Sequence, residues 1–191
     1  MRIERVHEAD PRKAAWTAAA YETPVSDRMW HLTATGTTPA PVLQTLLHHL
    51  AAGEAWDTSV GSPVTEKTVT ATAQPLTDAS WEHTVDGRWI RWTNPSRDAG
   101  IRFDAFAAHQ PNSNLTTWNL WSGPSTDHPT WTVTASPYTP SSLLADLSET
   151  LAHDTGTRHA QPTIRTRKTS LAVSPPATAP VTAGAAASRS R

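Results

Sequence analysis

The chain of 191 residues contains no cysteine, so disulfide bonds and thiolate metal sites are excluded. A chain of this length can bury a sizeable core without such staples. Glycine is scarce, at eight residues, which argues against a glycine loop wrapped around a phosphate. No Gly-x-Ser-x-Gly elbow, His-Glu-x-x-His pair or glycine-rich dinucleotide fingerprint occurs. No apolar run approaches the roughly 20 residues of a membrane span. The N-terminus is charged and lacks the apolar segment of a signal peptide. The expectation is a cytoplasmic protein with no membrane contact and no cofactor. Phenylalanine and tyrosine number two each, against nine tryptophans, so indoles must supply most of the large side chains.

The net charge of −1 conceals an asymmetry. From Thr155 onward there are six basic residues and no acidic one, which leaves residues 1–154 with ten basic and 17 acidic side chains. The tail, residues 155–191, is rich in Ala, Pro, Thr and Ser and reads as disordered. Its only cluster of charge is Arg165, Arg167 and Lys168.

One pattern is written twice. Trp30-His-Leu-Thr-Ala-Thr-Gly-Thr-Thr-Pro39 precedes Val42, Leu43, Leu46 and Leu50; Trp131-Thr-Val-Thr-Ala-Ser-Pro-Tyr-Thr-Pro140 precedes Leu143, Leu144, Leu147 and Leu151. Each copy predicts a strand, a turn and an amphipathic helix. Thr38 and Thr139 are the expected N-caps, with Pro39 and Pro140 at the first helical position. Upstream, Trp16 and Trp118 open a further strand in each copy.

The second half holds more strands. Asp86-Gly87 between 81–85 and 88–93 predicts a tight hairpin. Residues 101–106 alternate as a third strand, and 2–6 are its counterpart in the first half. The fold class is therefore α+β. Two related units are expected, residues 1–53 and 81–154, each an antiparallel sheet with one amphipathic helix on one face. Residues 54–80 join them, with an extra strand expected over 64–72.

Alternation decides which tryptophans face the helices. Most belong to the core, because a buried indole removes roughly 150–250 Å² from water. Trp92 and Trp121 fall on the far face by this pattern. With Arg88, which shares the face of Trp92, and Arg102 on the next strand they form a candidate stacking face for a binding partner, to which Arg91, alternating onto the other face, adds only from the sheet edge.

The nine histidines include His48-His49, but neighbours on a helix point about 100° apart and do not readily share a metal. They read as solvated or dipole-compensating groups. No catalytic cluster is evident. The expected function is a non-catalytic binding or interaction module, with a protein as the partner. One alternative is nucleic-acid binding through the basic tail. Another is an enzyme with a site between the units that uses Asp104 and a histidine.

The stretch from Pro24 to Leu50, through Trp30-His-Leu-Thr-Ala-Thr and Leu46-Leu-His-His-Leu50, resembles the SPDY-domain family, domain of unknown function 317. Trp131 to Leu144 resembles the same domain's ending. The resemblance implies two tandem units, the first truncated. It brings no activity, substrate or cofactor. The family's Ser-Pro-Asp-Tyr motif corresponds here to the degenerate stretch Asn94-Pro95-Ser96-Arg97-Asp98.

Overall fold

The computed structural model describes residues 2–6, 10–23, 25–26, 28–53, 64–110 and 115–153. The basic tail and the Pro24 position lie outside these residues. The first unit runs β1 (Arg2–Arg5), β2 (Ala14–Tyr21), β3 (Arg28–Thr35) and α1 (Ala40–Ala52). Helix α2 (Glu66–Asp78) comes next. The chain then runs through β4 (Glu82–Asp86), β5 (Trp89–Thr93), β6 (Ala99–Asp104), a short α3 (Ala105–Ala108), β7 (Trp118–Ser122), β8 (Trp131–Ala135) and α4 (Ser141–His153). The fold is α+β. All eight strands join one antiparallel sheet in the order β1-β2-β3-β8-β7-β6-β5-β4.

The two copies of the repeated pattern meet along β3 and β8, where Leu32, Thr33 and Ala34 pair with Ala135, Thr134 and Val133. Counterparts lie 101 residues apart, and the contacts across the seam obey a local two-fold axis. Thr33 and Thr134, which are counterparts, hydrogen-bond to each other at 2.7 Å. The His31 amide donates to Ser136 Oγ at 3.0 Å, and the Thr132 amide donates to Thr35 Oγ1 at 3.1 Å. Between the helices, Thr45–Thr150 at 2.8 Å is mirrored by Asp146–His49 at 2.6 Å.

A single core lies between the helices and one face of the sheet. Trp30, Leu32, Trp131, Val133, Trp118, Leu120, Ile101 and Phe103 point from alternate strand positions into Val42, Leu46, Leu50, Leu143, Leu147 and Leu151. Both helices of the repeat are thus amphipathic in use as well as in pattern.

Three expectations require correction. Residues 64–72 are not a strand; they form the N-terminal part of α2 and the turn that leads into it. The Thr65 side chain accepts from the Thr68 amide while the Thr68 hydroxyl faces the Thr65 amide, a reciprocal cap. Thr72, Ala73 and Leu76 are buried at helical spacing. Packing of this helix against α4 outweighs the weak strand preference of Thr and Val. Second, Thr38 and Thr139 do not cap. The α1 cap position is Pro39, with no side-chain cap bond. Thr38 Oγ1 lies 3.3 Å from Thr35 Oγ1, and the Thr139 hydroxyl donates to the His31 carbonyl at 3.2 Å. These threonines fasten the pre-helical turns to the sheet seam. Third, His49 is not solvated: it is buried against Asp146.

Candidate functional site

Opposite the helices, the second face of the sheet is crossed by a row of directly opposed residues. Thr84 pairs with Arg91, Arg91 with Arg102, Arg102 with Asn119 and Asn119 with Thr134. The row continues through Thr33 and Thr17 to Glu4. Every strand contributes one member, and every member is polar. At about 4.8 Å per strand the row is roughly 30 Å long.

Its arginine end is built by the β4–β5 hairpin. The turn residues are Gly87, at φ 56°, and Arg88, one position later than the sequence places them. That shift removes Arg88 from the strand alternation. Its guanidinium lies 4.5 Å from the centre of the Trp89 ring and 2.9 Å from Asp104 Oδ2. Arg102 approaches the same indole at 4.2 Å. One tryptophan therefore carries two guanidinium groups, an attraction strengthened where water is displaced. Asp104 is buried and also caps α3, since its Oδ1 accepts from the Phe106 and Ala107 amides at 3.1 and 3.0 Å. It is thus engaged by Arg88 and by a helix end.

Arg91 and Arg102 sit directly across from each other, and neither makes an ion pair among the described residues. Burial, and then repulsion from Arg91, push the Arg102 pKa below the usual guanidinium value; Asp127 and Asp104 oppose the shift. Four buried side-chain polar atoms lack a hydrogen-bond partner among the described residues. Three of them, Arg91 Nε, Arg102 Nε and Asn119 Oδ1, are consecutive members of the row. Beside them a recess of about 340 Å³ is bounded by Arg88, Trp89, Arg102, Phe106 and Asn119, among others.

The expected stacking face is therefore corrected in part. Trp92 is buried on the helix side, paired with Ile101 and in contact with His83 at 5.2 Å between rings. Its place reflects the parity of β5, in which Ile90 and Trp92 face inward together. Trp121 does face away from the helices, yet it is buried as well. It lies over Gly100, where a Cβ would stand 2.8 Å from the indole Nε1, so only glycine admits the ring. Arg91 and Arg102 share the outer face with Trp89, an indole absent from the set expected on sequence grounds. The signal that supplies it is β5 itself, where Trp89 and Arg91 alternate with the apolar pair Ile90 and Trp92 that packs inward.

The degenerate motif at 94–98 is a structural turn. Asn94 is buried, its Oδ1 accepting from the Asp98 and Ala99 amides at 3.0 and 3.1 Å while its Nδ2 donates to Asp98. This closes the connection from β5 to β6.

No curated protein and no solved structure matches the chain. Two stretches, residues 1–56 and 93–157, match the profile of the SPDY domain, described as a domain of unknown function (DUF317). The first spans β1 to α1 and the second spans β6 to α4, three strands and a closing helix in both, with the short α3 added after β6 in the second, whereas α2, β4 and most of β5 fall between them. With more than half of its residues matched in this way, the chain belongs to the SPDY family.

Proposed function

We propose that this protein is a non-catalytic binding module whose polar sheet face receives an anionic group of a protein partner at Arg91 and Arg102. The observation that carries this reading is the directly opposed arginine couple, which makes no ion pair among the described residues. Like charges facing each other on adjacent strands destabilise a sheet. A ligand that supplies the missing countercharge would relieve that repulsion. A carboxylate or phosphoryl oxygen placed between the two guanidinium groups would balance the charge, with the planar fork favouring paired hydrogen bonds. Trp89 braces Arg102 from the side and Asp104 braces Arg88, so the donors are preorganised.

The test compares the full chain with an Arg91→Gln/Arg102→Gln variant. A glutamate-rich peptide and a phosphoserine peptide are titrated into each at low and high salt. Saturable binding to the parent, weakened by salt and lost in the variant, supports the reading. Equal binding by the two proteins removes it.

A further inference from the structure

The local two-fold symmetry has one conspicuous exception. In the second unit the outer edge of β6 is covered by β5, and Ile101 beneath it is only 1 % exposed. The counterpart of β6 in the first unit is β1, with Ile3 in the place of Ile101: Ile3 pairs with Ala18 as Ile101 pairs with Leu120. No strand covers β1 among the described residues, and Ile3 is 43 % exposed, with Val6 at 44 %. The helix layer repeats the difference. Leu47 of α1 is 41 % exposed, whereas its counterpart Ser148 in α4 is buried. The first unit thus retains an uncovered apolar edge at the position that its twin fills with an intramolecular hairpin.

The free edge is self-complementary. The Val6 amide donates to the Ala15 carbonyl at 2.8 Å, so Arg2, Glu4 and Val6 direct their backbone groups toward β2. Ile3 and Arg5 then direct theirs outward, as antiparallel alternation requires. A second β1 strand laid antiparallel, with Ile3 opposite Ile3, makes the two reciprocal backbone hydrogen bonds of a bonded pair. The same placement sets Arg2 opposite Glu4 of the second copy, twice, on the outer face. Both charged side chains are accessible, at 66 % and 49 %, and now pair weakly within one strand at 3.4 Å.

We propose that β1 is a self-association edge, through which two copies of this chain join their sheets about a two-fold axis at Ile3. Such an isologous contact closes on itself and produces a dimer, not a fibre. The strand is short, so association is weak and concentration-dependent.

Sedimentation of the full chain, tagged only at its C-terminus, tests the proposal over a concentration series. The parent is expected to pass from monomer to dimer. Arg2→Glu and Glu4→Arg each place like charges across the two-fold axis and should weaken self-association by about tenfold. Mixed together, the two variants regain complementary charge and should form a heterodimer. Circular dichroism checks that both remain folded, as expected for exposed positions. A parent that stays monomeric throughout the series overturns the proposal. So does a parent dimer that both charge reversals leave unchanged.

Discussion

Thr33 and Thr134 occupy the same position in the two copies of the repeat and share a hydrogen bond at 2.7 Å. The local symmetry axis runs between them. Each single change to valine strands one hydroxyl at a partly buried position and should cost about 1 kcal/mol. The double change removes both groups and should cost less than the sum. Denaturant melts of the four proteins give the coupling; strict additivity would show that the two hydroxyls do not act together.

The helices of the repeat should contribute alike. Leu46 is 5 % exposed and Leu147 is 1 % exposed, each facing the same core. Replacement of either by alanine should destabilise the protein by about 2–5 kcal/mol, with the larger loss at Leu147. Thermal or urea unfolding measures both, and near-silent variants would contradict the packing of α1 and α4 on the sheet.

Gly100 is expected to tolerate nothing larger. A methyl group there would stand 2.8 Å from Trp121 Nε1 and 2.8 Å from the Trp92 carbonyl oxygen, and the latter belongs to a paired strand. Gly100→Ala should cost about 1–3 kcal/mol. It should also shift tryptophan emission to longer wavelength as Trp121 is lifted toward water. Emission identical to the parent would place the indole elsewhere.

His31 gives a pH signature. Burial, aided by Arg28, lowers its pKa in the folded protein from the ordinary 6.5. The unfolded chain therefore binds the proton more readily. This stabilising contribution is complete above 6.5 and is lost as pH falls through the depressed folded value. His31→Gln should flatten the acid side of the stability curve, measured as melting temperature between about pH 7 and pH 5. An unchanged slope would assign the acid sensitivity to other groups.

Arg91 is predicted to oppose folding slightly. Its removal relieves repulsion against Arg102 without breaking an ion pair. Arg91→Gln should leave the melting temperature equal to or above the parent value while binding of the acidic peptide is weakened. A clear loss of stability would mean that the arginine couple is a packing element.

The duplicated core was legible because tryptophan and leucine recur with the periods of a strand and a helix. The same alternation separates Arg91 from Trp92, as observed, but does not tell which of the two faces outward. Trp92 was misplaced for that reason: Ile90 and Trp92, not Trp89 and Arg91, pack against the core. Trp121 was placed on the correct side but not foreseen as covered, since the space for its ring comes from a glycine on the neighbouring strand. Helix α2 was missed because its threonines and Val69 have strand-like preferences, while its helical state rests on contacts with α4 that lie far along the chain. Asp146 against His49 was equally invisible, being a meeting of residues 97 positions apart.

The β3–β8 junction places the middle of the sheet where the two copies touch. Neither copy has a finished boundary on that side, so a descendant that discarded one would inherit a raw strand and a strip of bare indole. Duplication here was a one-way step: the halves are free to drift apart in sequence, as they have, but not to part company.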